Sequence, residues 1–190
     1  MLISGVFDPA SNRVALWLTS DELKPIVGKL KWRVTEVAGK LLRAGKQDAA
    51  VTAQQSAQVG GLELGELVKT HGATNLLVWL SFDVNGKTVS QNLVLFTKPR
   101  ELALLDPGLA SDVSGSGTDF TVSVRAKRPA LWVWLEIAGT EAHWSDNFLH
   151  VLHDSPVRFT AKLEKPMVEK DFVNALTVHS LFDTYAKRPD

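Results

Sequence analysis

The sequence predicts an all-β protein built from two antiparallel Ig-like β-sandwiches in tandem. Three observations predict it. Short runs that alternate apolar and polar residues recur along the chain, turn residues separate them, and no stretch carries the 3.6-residue period of a long helix. Asn85-Gly86 joins two such runs, and that dipeptide suits a two-residue type I′ hairpin turn because Asn tolerates positive φ and Gly takes it freely. Finally, the 190 residues divide naturally into two units of about 95, the size of an Ig-type sandwich.

The elements follow in order. Arg13 to Thr19 sets Val14, Leu16 and Leu18 against Ala15 and Trp17. Ile26 to Val37 sends Leu30, Trp32 and Val34 inward and Lys29, Lys31, Arg33 and Thr35 outward. Gly39 turns the chain into a run from Lys40 to Ala44, with another strand near Ala49 to Ala53. Leu62 to Val68 suits a short helical turn closed by His71-Gly72. In the hairpin from Asn75 to Phe96, the turn predicts that Val84 faces Lys87, Phe82 faces Val89, Leu80 faces Gln91 and Val78 faces Leu93. One face would then be apolar and the other would carry Ser81, Asp83, Thr88, Ser90 and Asn92.

Lys98-Pro99 and Asp106-Pro107-Gly108 bracket a connector, and Ser111 to Thr118 is rich in Ser, Gly and Asp. That composition predicts a linker, with sandwiches over 1–97 and 98–190. Beyond it, Phe120 to Ala126 alternates, and Leu131 to Ile137 places Leu131, Val133, Leu135 and Ile137 on one side with Trp132, Trp134 and Glu136 on the other. Val157 to Leu163 and Leu176 to Leu181 read as the last strands, and Ala186 to Asp190 as a frayed tail.

Composition excludes more than it suggests. Twenty-one basic residues balance twenty-one acidic ones, so no electrostatic reason exists to expect nucleic acid or an anionic membrane as partner. No apolar run approaches the roughly 20 residues of a membrane span. The start shows no signal peptide and enters strand residues almost at once, as a fragment of something larger would. With no cysteine there are no disulfides and no thiolate chemistry. No nucleophile elbow, P-loop or dinucleotide fingerprint is present, and no cofactor is expected. Histidines 143, 150 and 153 lie near Asp146 and Asp154, but their spacing fits no named zinc pattern, and ordinary loop histidines are expected.

The tryptophans carry the functional question. Trp132, Trp134 and Glu136 share a strand face by alternation, and Trp144 follows soon after. Three roles are open to the rings: burial in a sandwich core, contact with another domain, or stacking on sugar. At least one of Trp132 and Trp134 is expected in the core. Ser145, Asp146, Asn147 and Phe148 form a structural turn, in which Asp146 and Asn147 cap backbone N–H groups and Phe148 anchors the turn in the core.

The run Ala130-Leu131-Trp132-Val133-Trp134-Leu135-Glu136, the turn His143-Trp144-Ser145-Asp146-Asn147-Phe148 and the run Thr177-Val178-His179-Ser180-Leu181-Phe182-Asp183-Thr184-Tyr185 resemble the C-terminal end of β-mannosidases of glycoside hydrolase family 2. There a V-W-L-[ED] strand leads to an aromatic-S-D-N-aromatic turn and a closing V-x-S-L-x-D-x-Y strand. Leu93 to Leu102 resembles that family's passage between its last two sandwiches. Leu152-His153-Asp154-Ser155-Pro156 departs from the Pro-Gly-Glu turn of many relatives. The resemblance implies a periplasmic, secreted or lysosomal parent enzyme that hydrolyses terminal β-mannosides. Its catalytic glutamates would lie in a (β/α)₈ barrel of about 250 residues, for which this chain has neither the length nor an Asn-Glu dipeptide. The chain would then be non-catalytic, with the parent's barrel and N-terminal domains as partners and carbohydrate as a further one. A free-standing carbohydrate-binding or protein-interaction sandwich is the alternative.

Overall fold

The computed structural model describes residues 1–185, and the expected frayed tail at Ala186 to Asp190 lies outside the described residues. The chain is all-β and forms two compact units, Met1–Ala103 and Leu104–Asp190.

In the first unit, β1 (Leu2–Asp8), β2 (Arg13–Thr19) and β5 (Ser56–Glu63) make a three-stranded sheet in the order β1-β2-β5. β3 (Ile26–Glu36), β4 (Leu41–Val51), β6 (Leu76–Val84) and β7 (Lys87–Leu95) make a four-stranded sheet in the order β4-β3-β6-β7. All pairings are antiparallel. The alternating residues Val14, Leu16 and Leu18 meet Leu30, Val34, Val78 and Phe82 in one core. Full burial of a side chain such as Phe82 contributes about 1.5–3 kcal/mol. Trp32 is half-buried, its ring under the Arg43 guanidinium at 5.3 Å. The expected strands at Lys40–Ala44 and Ala49–Ala53 are one strand, β4, because the polar residues between them pair continuously with β3. The helical turn falls slightly later than expected, as α1 (Gly65–His71), and Gly72 ends it at φ 79°.

The organising hairpin turns at Asn85 (φ 51°) and Gly86 (φ 78°) as expected, but its register departs from the expectation. Val84 faces Lys87 and Asp83 faces Thr88, after which the ladder shifts. Phe82 then faces Ser90, Leu80 faces Asn92 and Val78 faces Val94. Val89 is the extra residue of a β-bulge, left 44% exposed. A register extrapolated from a turn fails at the first bulge. Nor is β6 half-buried: Leu76 to Leu80 are buried on both faces, as an unbroken apolar run implies for a covered strand. On the second face Trp79 Nε1 donates to Thr35 Oγ1 at 2.9 Å, so the buried indole is satisfied.

The second unit stacks the sheet order β10-β12-β8 against β11-β9-β13, made of β8 (Ala110–Arg125), β9 (Ala130–Ile137), β10 (Ala142–Trp144), β11 (Leu149–Val151), β12 (Val157–Met167) and β13 (Leu176–His179). A short α2 (Glu169–Ala175) precedes β13 and buries Phe172, which stacks on Phe120 at 4.0 Å. Ser111–Thr118 is no linker. It is part of β8, and its glycines answer the backbone: a Cβ on Gly115 would sit 2.4 Å from the Asp119 carbonyl oxygen, while Gly117 has open space around it but a positive φ of 67°. Small residues serve this fold-back rather than flexibility. At the division itself, the 3-10 turn Pro99–Glu101 and the bond from Ala103 N–H to Thr74 O keep the chain on the first unit. The final strand also ends earlier than expected. Ser180 and Asp183 form a capping box that opens a 3-10 turn over Leu181–Thr184, so the S-L-F-D run is a helix-start signal rather than strand.

Candidate functional site

The candidate site is the solvent side of the β11-β9-β13 sheet in the second unit. Its geometry begins with a bulge. Val133 pairs with Leu149 and Ala130 with Val151, so Leu131 and Trp132 together oppose His150. The extra residue breaks the expected alternation: Ala130 joins Val133 and Leu135 in the core, whereas Leu131 is buried outside that core. Trp132 adopts φ 48°, a strained conformation for a bulky residue. Its N–H, displaced from the ladder, donates to His150 Nδ1 at 3.1 Å, and the imidazole meets the Trp132 ring edge-on at 5.4 Å. Burial pushes the His150 pKa down to about 4, so the ring is neutral and Nδ1 acts as an acceptor.

Beside this pair stands a stack of three rings. Trp134 lies between Phe148, contributed from the β11 side at 5.9 Å, and His179, its register partner on β13 at 4.9 Å. The planes are 27° and 24° from parallel. The Trp134 indole donates to Glu136 Oε1 at 3.2 Å, and His179 Nε2 lies 3.7 Å from Glu136 Oε2. Because β11 and β13 flank β9 on opposite sides, both faces of Trp134 are covered by protein rings.

The turn that delivers Phe148 is built by Asn147. Its side chain accepts from Leu135 N–H at 2.9 Å and approaches Leu135 O at 3.4 Å, replacing a strand partner with an amide. Asp146 Oδ1 accepts from Asn147 N–H, and Ser145 exchanges two bonds with Thr160. Phe148 is not in the core. It is 58% exposed, with φ 61°, held outward against Trp134. The core expectation fails for Trp132 and Trp134 too, since both are half-buried and neither packs into the core cluster. Trp144 is the one that does, edge-on to Phe172.

Histidines 143, 150 and 153 lie on β10, on β11 and in the following turn, and among the described residues no three metal-ligating side chains converge. His150 and His179 are the site residues that sequence reasoning missed. The available signal was positional: each falls at the strand register of a tryptophan.

These features define a class, a tandem of Ig-like β-sandwich modules. Comparison with known families then gives the membership. Residues 12–101 match the mannosidase Ig/CBM-like domain and residues 104–184 the Ig-fold domain of mannosidases. The chain belongs to these mannosidase Ig-like domain families, one in each unit. A search of curated proteins finds no match. Among solved structures, the β-D-mannosidase of Dictyoglomus thermophilum aligns over 94% of this chain at 19% identity with a TM-score of 0.74. The exo-chitosanase CsxA of Amycolatopsis orientalis aligns over 94% at 12% identity with a TM-score of 0.58. Both likenesses concern the fold. The chain spans 21% and 25% of the lengths of those two proteins.

Proposed function

We propose that this chain is the non-catalytic accessory region of a β-mannosidase-like hydrolase of glycoside hydrolase family 2, and that it packs on and supports a catalytic (β/α)₈ barrel of the same polypeptide. The observation that carries this reading is the pairing of the two mannosidase-type domain matches in order, over 12–101 and 104–184. The alignment of nearly the whole chain with about a fifth of a β-D-mannosidase supports it. The ring stack suits a docking role better than sugar stacking, because Trp134 is clamped on both faces and its neighbours are fixed by Glu136 and Asn147. A rigid, half-exposed aromatic surface loses little side-chain entropy when covered. The parent would hydrolyse terminal β-mannosides with a pair of barrel carboxylates.

Two measurements test the proposal. The purified chain should give no turnover of an aryl β-mannoside above a buffer blank, and turnover that co-purifies with it refutes the accessory role. The genomic reading frame containing this sequence should encode a barrel in frame upstream. A complete frame without one overturns the reading.

A further inference from the structure

The tip of the β6–β7 hairpin is open to a reaction that the fold itself does not need. Of the six asparagines in the chain, Asn85 alone is followed by glycine. Both residues are exposed. The Asn85 side chain makes no hydrogen bond among the described residues, whereas Asn147 spends its amide on Leu135. A Cβ on Gly86 would meet nothing within 4 Å, so open space surrounds the peptide bond that joins the two. In a two-residue turn the closing bond joins the flanking residues, here Val84 and Lys87, which leaves the Gly86 N–H outside the ladder. The other asparagines precede Arg13, Leu76, Leu93, Phe148 and Ala175, each with a Cβ that crowds the corresponding nitrogen.

We propose that Asn85-Gly86 is a site of non-enzymatic covalent modification, at which the asparagine loses its side-chain amide nitrogen and becomes an aspartyl or isoaspartyl residue. The Gly86 nitrogen gives its proton to solvent and attacks Asn85 Cγ. The bond from Cγ to the side-chain nitrogen breaks, that nitrogen takes up a proton and leaves as ammonia, and a five-membered succinimide remains. Water then opens the ring at either carbonyl, so no oxidant or reductant is needed. Lys87 follows directly and makes no ion pair among the described residues, and its ammonium favours the deprotonated amide. The two products differ in their effect on the hairpin. Asp-Gly suits the same positive-φ turn as Asn-Gly, so the aspartyl form keeps the register. The isoaspartyl form adds a methylene to the main chain of a two-residue turn. That misaligns Val84 with Lys87, beside the contacts of Asp83 with Lys31 and Thr88. Either product adds a negative charge to a chain whose formal net charge is +0.

Prolonged incubation of the folded chain in mildly alkaline buffer, followed by isoelectric focusing and peptide mass mapping, tests the proposal. An acidic band should grow with time. Its mass gain should equal the exchange of an NH for an oxygen, and fragment spectra should assign more of it to Asn85 than to all other asparagines together. Asn85→Gly keeps a dipeptide suited to the same turn and should remove the band, with melting curves verifying that the variant remains folded. Asn85→Asp should melt with the wild type, while the isoaspartyl fraction, separated by chromatography, should melt lower. The proposal is overturned if the native chain yields no acidic band, whether or not the chain converts in urea. A gain centred on another asparagine, or a band that persists in Asn85→Gly, overturns it equally. None of these readouts involves turnover or a barrel, so this proposal and the accessory reading can each fail alone.

Discussion

Acid should destabilise the second unit through one side chain, His150. Its Nδ1 takes the Trp132 N–H at a strained bulge, and burial depresses its pKa from the ordinary 6.5 to about 4. In the unfolded chain the same imidazole binds a proton below its ordinary value. The unfolded state therefore gains protons first as pH falls, and stability declines from the ordinary pKa down through the folded one. Below the folded value both states are protonated and the loss levels off. The full shift corresponds to about 3 kcal/mol, and roughly half of that is lost by about pH 5. For a unit of this size that is a drop of about 10 °C in melting temperature. The perturbation to compare is His150→Asn, whose amide oxygen occupies the place of Nδ1 and accepts the same bond without titrating. Calorimetric melting of both chains between about pH 7 and pH 4 should show the wild type falling more steeply by this amount, its stability relative to the variant declining as the pH drops and levelling off below the folded pKa. Parallel pH profiles would refute the reasoning, and so would an NMR titration placing His150 near its ordinary value.

Two further outcomes follow from single contacts. Asn147→Ala leaves Leu135 N–H without its acceptor in the middle of β9 and should cost about 1–3 kcal/mol in urea unfolding, while also loosening Phe148 enough to change its proton line widths; unchanged stability would mean the amide bridge is dispensable. Gly28→Ala puts a Cβ 2.3 Å from the Asp83 carbonyl oxygen and 2.7 Å from the Phe82 ring, so it should destabilise the first unit by about 1–3 kcal/mol, and a neutral result in thermal melting would contradict the close approach of β3 to β6.

The sequence by itself determined the all-β class, the faces of β2, β3 and β8, and the Asn85-Gly86 turn. These depend on period-two alternation and on positive φ, both of which are local properties. It also carried the family, because the V-W-L-E strand and the S-D-N-F turn are contiguous motifs. Tertiary structure decided the rest. Where a bulge inserts Val89 or doubles Leu131 and Trp132 against His150, every later position changes partner, and no local pattern records the insertion. The glycines of Ser111–Thr118 read as a linker because composition cannot distinguish freedom from close approach, and only the Asp119 carbonyl against Gly115 does. Phe148 reads as an anchor because hydrophobicity predicts burial on average. Its exposure is set by Asn147, which spends its side chain on the backbone of a strand twelve residues away and so holds the ring outward. The environment of Trp134 was equally out of reach. Its two covering rings come from β11 and β13, and that sandwiching exists only once the sheet order β11-β9-β13 has formed.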